Sequence, residues 1–248
     1  GLGDVYKRQD EATILTLYES GIDSLFNFPA SDSTGRFVKA ALAGKSSTVA
    51  SAQADWNARI RAVSPASVDA PFVSNHDMAR ARGMLRSKVP NEKAAALLYL
   101  LMPGVPTVYY GEELGMSGSG SDENKRLPMV WSSDAATQCK APAAADQAQR
   151  LTDGVAEQDS DPDSLLNWYR QLIALRNLAP ELTRGEMTAL DGGNDAICAY
   201  TVTDADSTVA IISNVSQKDT LTVSLDVLRG AEPVSYTHLR AHETAANL

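Results

Sequence analysis

From residue 10 to about residue 182 short apolar runs alternate with stretches of helical periodicity, and beyond that point the apolar period changes to two. Asp23 to Phe28 is short, apolar-rich and followed by Pro29, which predicts a strand that ends there. Ala50 to Val63 predicts a helix, with Trp56 and Ile60 four apart on one face, Val63 one turn on, and Pro65 closing it. Val68 to Ser74 predicts the next strand. Asn91 is placed to cap a helix running through Ala94 to Leu101, with Glu92 near its positive end. Pro103-Gly104 stops that helix, and Val105 to Tyr110 predicts a third strand broken by Gly111. Gly115 to Asp163 shows little periodicity and a Ser, Gly, Asp, Ala, Gln and Pro composition, the pattern of a long loop. Ser164 then caps a predicted helix from Leu165 to Ala179, whose apolar face includes Trp168, Tyr169, Leu172, Ile173 and Leu175 and which Pro180 ends. Ala196 to Val202, Thr208 to Ser213 and Leu221 to Leu225 are strand-like, with Asp204-Ala205-Asp206-Ser207 as a hairpin turn. Strand-helix order predicts βαβ units and a parallel sheet, so the fold class is α/β followed by a small antiparallel β domain.

Composition adjusts this picture in a few places. With 248 residues, 44% of them hydrophobic, a sizeable core is assured. The net charge of -9, with no basic stripe, argues against nucleic acid as a partner. Cys139 and Cys198 make no disulfide framework and read as two unpaired cysteines. No apolar run reaches the roughly 18 to 20 residues of a membrane span, so no membrane partner is expected. Residues 1–9 and 235–248 fit neither flanking pattern. They resemble translated sequencing-adapter sequence and are expected to be non-native. His238 and His242 stand at the i, i+4 spacing of a zinc site, but with no third ligand near in sequence no metal site is expected.

Three predicted strand ends carry the candidate chemistry. They are Asn27-Phe28-Pro29, Asn75-His76-Asp77 and Tyr109-Tyr110-Gly111-Glu112-Glu113. The carboxyl ends of neighbouring parallel strands form one face, so a His, one to three carboxylates and two tyrosines can converge there. That set suits a polyhydroxylated substrate: carboxylates and His bond hydroxyls, and aromatic rings cover the apolar face of a sugar. Glycoside cleavage needs two carboxyl groups across the scissile bond. Taken locally, each residue also has a plainer role. Asp77 can cap a helix from Met78 to Arg86, Asn75 can bond backbone at the strand exit, and Glu112 and Glu113 can be turn or salt-bridge residues. Trp56, Trp131 and Trp168 read as packing residues.

Phe72-Val73-Ser74-Asn75-His76-Asp77 with Arg80 resembles the strand-seven motif of the α-amylase family of glycoside hydrolases, and residues 104–116 resemble its strand-eight motif. Residues 21–28 are similar to strand six, Arg126-Leu127-Pro128-Met129-Val130-Trp131-Ser132 to the loop after strand eight, and residues 163–177 to the closing helix. The match departs at Leu127 and Val130, where the family often has Thr and Gln. The resemblance implies the C-terminal part of a (β/α)8 TIM barrel, strands six to eight, over residues 10–182, with a truncated antiparallel β domain over 183–234. It implies a retaining hydrolase of α-1,4-glucosidic bonds in starch or maltooligosaccharides. Asp77 would be the carboxylate that stabilises the transition state, and His76, Asn75, Tyr110 and Arg80 would bind substrate. The family's nucleophilic Asp and acid/base Glu follow strands four and five, positions that nothing in this sequence matches, so the chain alone is expected to be inactive. An α-glucosidase or transglycosylase of the same family, or a non-catalytic carbohydrate-binding module, are the alternatives. The resemblance implies no cofactor in this chain, leaves calcium to a full-length parent, and favours a secreted or cell-surface bacterial parent over a cytoplasmic one.

Overall fold

The computed structural model describes residues 10–149, 151–205, 207–216, 220–226 and 229–230. The expectations for residues 1–9 and 235–248, His238 and His242 among them, lie outside the described residues. The helices are α1 (Glu11–Glu19), α2 (Arg36–Ala43), α3 (Ser47–Val63), α4 (Ala81–Met84), α5 (Val89–Leu100), α6 (Asp122–Lys125), α7 (Val155–Ser160), α8 (Leu165–Asn177) and α9 (Glu181–Arg184). The strands are β1 (Ser24–Phe26), β2 (Val68–Ala70), β3 (Glu186–Leu190), β4 (Ile197–Asp204) and β5 (Ser207–Asn214).

β1 and β2 pair in parallel, with Leu25 opposite Asp69. The pair is held from behind by α1 and α3. Asp10 caps α1 by accepting from Thr13 N at 2.8 Å, which fixes the helix so that Ile14 and Tyr18, four apart, both face inward. The Tyr18 ring is buried, but its hydroxyl accepts from Leu25 N and donates to Val68 O, joining the two strands. Asp69 is buried in the middle of β2 and would be costly there without partners. Its carboxylate accepts from Trp56 Nε1 and Gln53 Nε2 of α3 and from Asn27 Nδ2 beyond β1. Burial still pushes Asp69 up to about 6.

The third predicted strand, Val105 to Tyr110, is extended backbone beside β2 without a full ladder. Val105 N donates to Asp69 O and Thr107 N to Pro71 O, the two-residue step of parallel pairing. The return bond is missing because Pro71 has no N–H. The same proline limits the predicted strand from Val68 to Ser74 to three residues.

α5 begins at Val89 with Pro90 in its first turn, not at an Asn91 cap; Asn91 Nδ2 donates back to Leu85 O. Residues 94–101 are buried on every side, between α2 and α8. The carbonyls at its buried C-terminal end need donors, and Arg176 of α8 supplies them to Leu100 O and Met102 O. α8 starts where Ser164 Oγ accepts from Asn167 N, as expected. Its predicted apolar face is narrower than drawn: Leu165, Leu166, Trp168, Tyr169 and Leu172 are buried, while Ile173 is exposed.

The sheet β3-β4-β5 is antiparallel, and the β4–β5 hairpin turns at Ala205, held at φ 47°. Cys198, Tyr200 and Val202 of β4 join the same core as α5 and α8, and Tyr200 OH donates to Leu101 O at 2.8 Å. Leu221 to Leu225 is irregular and adds no strand. The long loop carries its own small core, in which Leu114, Met116, Leu127 and Val130 pack on Leu166 of α8.

Candidate active site

The exit from β2 is a built turn. Ser31 Oγ donates to Phe72 O, Asp32 N donates to Val73 O, and Ser74 Oγ donates to Glu112 Oε2 at 2.6 Å. Asn75 Oδ1 then accepts from Asp77 N at 3.0 Å, an Asx-type bond that turns the chain so that His76 and Asp77 leave the core. The His76 side chain is 41% exposed and the Asp77 side chain 19%, with Nε2 of one 3.7 Å from Oδ1 of the other. The helix that Asp77 was suited to cap does not form over Met78 to Arg86. α4 is a single turn with Arg80 at its N-cap, which leaves the Asp77 carboxylate for other work.

That carboxylate meets Arg126, whose Nη2 lies 3.1 Å from Asp77 Oδ1 and 3.1 Å from Asp122 Oδ2, and whose Nε donates to His76 O. Lys125 Nζ donates to Asp77 O and to Asp122 Oδ1. Two cations from the loop near residue 125 therefore grip the His76-Asp77 turn, a contact spanning almost fifty residues of sequence.

Arg80 explains how that loop reaches the site. Expected to bind substrate, it is 2% exposed, with its guanidinium 4.7 Å from the ring centres of both Tyr109 and Tyr110. Its Nε donates to Lys125 O and its Nη1 to Tyr110 O. Tyr109 OH donates to the same Lys125 O and Tyr110 OH to Leu127 O. Arg80 thus belongs to the wall of the site, tying the 105–111 segment to the loop that carries Arg126. Asn75 is also buried, with its Nδ2 unpaired among the described residues. Tyr110 is 40% exposed, on the wall that Arg80 and Leu127 O hold in place.

The tight bend after Tyr110 depends on Gly111 at φ 80°, in the left-handed region where glycine is unstrained. It turns Glu112 inward, away from the open face. Glu112 is neither a surface turn residue nor a salt-bridge partner: its carboxylate accepts from Ser74 Oγ, Tyr99 OH and Tyr169 OH. Burial pushes it up to about 7 against those three donors. Trp56 and Trp168 are packing residues as expected, but Trp131 is 52% exposed. Its loop position gives it no helix face to bury. Among the described residues no group of three or more His, Cys, Asp or Glu is arranged to hold a metal ion, and no helix is long and apolar enough to cross a membrane.

Asn75, His76 and Asp77 stand together at the turn, and Lys125, Arg126 and Asp122, which the strand-end pattern does not predict, meet them there. Arg126 heads the loop motif quoted above, and its position there was the available signal.

The α-amylase catalytic domain model matches residues 2–185. Alpha-amylase 3 of Dictyoglomus thermophilum is 30% identical over 151 residues, 60% of this chain and 30% of that protein. The alpha-amylase SusG of Bacteroides thetaiotaomicron is 29% identical over 230 residues, 86% of this chain and 31% of that protein. The solved structure of Eubacterium rectale Amy13B superposes with a TM-score of 0.77 at 35% identity, covering 84% of this chain and 42% of that one. The chain spans about a third of the length of these curated relatives. The parallel strands and their helices are thus those of a TIM-barrel catalytic domain, with the antiparallel sheet following it, and the chain belongs to the α-amylase family of glycoside hydrolases.

Proposed function

We propose that this chain supplies the substrate-gripping side of a retaining α-glucan hydrolase site, formed at the ends of barrel strands six to eight and acting on α-1,4-linked glucose in starch or maltooligosaccharides. The observation that carries the reading is the Asp77 turn: a carboxylate and an imidazole, side by side and open to solvent at the exit of a parallel strand. Asp77 accepts hydrogen bonds from hydroxyls of the sugar at the cleavage point and becomes more valuable as positive charge develops on that ring in the oxocarbenium-like transition state. His76 donates to the same ring, and Tyr110 covers an apolar sugar face. Arg126, bonded to Asp77 Oδ1, sets the orientation of the carboxylate and is displaced from it, or shares it, when sugar binds.

Cleavage needs a nucleophilic carboxylate and a separate proton donor across the scissile bond. In this reading the described residues supply neither; Glu112, at the same strand end, is sealed behind the exit and bonded to three hydroxyls. The chain then binds glucan without hydrolysing it. Incubation of the purified chain with soluble starch is expected to release no reducing sugar. Release that disappears in Asp77→Ala would overturn this.

A further inference from the structure

Ser74 is the hinge between the core and the sugar-binding turn. It is buried, it immediately precedes Asn75, and its hydroxyl is committed to Glu112. Asn75 Oδ1 locks Asp77 N, so a change in how Ser74 is held passes along three residues to the His76 and Asp77 side chains. We infer that Glu112 is a positioning residue for the sugar-binding exit, its charge state setting how firmly Ser74 anchors the Asn75-His76-Asp77 turn. The inference rests on the glucan-binding reading above only for its functional consequence.

The surroundings make the charge state variable. The groups facing Glu112 are Tyr99 from α5, Tyr169 from α8 and Ser74 from the β2 exit, with Glu113 on its own turn and the Arg80 guanidinium acting from across the site. Its direct partners are hydroxyls, so no bonded cation fixes it as an anion. Burial raises it to about 7, into the range where a small change of pH changes its charge. As an anion it accepts three charge-assisted bonds, the stronger kind. Once protonated it carries a proton that one of the three hydroxyls must accept, and the hold on Ser74 weakens.

The test combines assigned amide NMR of the full chain between pH 5.5 and 8.5 with calorimetric titration of maltoheptaose over the same range. The amides of Asn75 and Asp77 are expected to shift in a step that follows the Glu112 carboxyl carbon and not the His76 ring carbons, with a midpoint near neutrality, and glucan affinity to rise with pH along the Glu112 midpoint. Glu112→Gln, which keeps the shape and can still bond all three hydroxyls, is expected to lose the step in both. Tyr169→Phe removes one donor to the anion and shifts the midpoint upward. Should Glu112→Gln fail to fold, Ser74→Ala decides: the Glu112 carboxyl carbon still titrates and the two amides no longer follow. An amide step that persists unchanged in Glu112→Gln or in Ser74→Ala overturns the inference. Amides that step with Glu112 while no glucan binds at any pH support the positioning role and overturn the glucan-binding reading instead.

Discussion

Glu112 shows at single-residue scale how burial and hydrogen bonding contend. Three hydroxyl donors favour the anion, yet removal from water dominates, and the carboxyl rises from 4.5 to about 7. A carboxyl raised in the folded state stabilises the fold fully below its unfolded value. Between pH 4.5 and 7 the unfolded chain releases the proton that the folded chain keeps, so stability falls as pH rises through that window. Asp69, raised from 3.8 to about 6, contributes in the same direction slightly lower. For Glu112 the loss is on the order of 3 kcal/mol once complete. Urea denaturation at pH 4.5 and 8 is expected to show Glu112→Gln gaining on the natural sequence at the higher pH by an amount of that order. A difference that does not change with pH contradicts this account of the site.

Among the elements, the contact between β2 and the extended 105–111 segment is the most exacting. Gly104 opens that segment at φ 118°, and a Cβ there would lie 2.2 Å from the Asp69 carbonyl oxygen, a backbone atom that cannot step aside. Gly104→Ala must separate the segment from β2 or break the bond from Val105 N to Asp69 O, and is expected to destabilise the chain by more than ~2 kcal/mol in a urea titration. A loss below half of that shows the junction to be looser than described. The legibility of the elements follows the same physics. α8 was readable because Ser164, the apolar stripe and Pro180 agree, and the β4–β5 hairpin because its period of two is local. The 105–110 strand was over-read because an apolar run does not reveal that its neighbour presents a proline. α1, α2 and β3 went unread: α1 has only Ile14 and Tyr18 fully buried, and small alanines make up much of the buried face of α2.

On the scale of the whole molecule, the site is a junction between segments distant in sequence, and that decided how much of it could be read in advance. Asn75, His76 and Asp77 are contiguous and follow an apolar run, so they were visible. The pairing of Arg126 with Asp77, and the capture of Arg80 between two tyrosines, depend on the long loop folding back over the strand ends, which no local pattern encodes. The same fold-back separates residues that open to solvent from those that form the wall behind them, and it places Arg80 in the wall. The central claim is that the Asp77 turn grips α-glucan. Calorimetric titration of maltoheptaose into the chain and into Asp77→Ala tests it most directly. Saturable binding is expected, weakened about tenfold or more in the variant through loss of a charge-assisted hydrogen bond; equal affinity in the two proteins, or binding to neither, contradicts the claim.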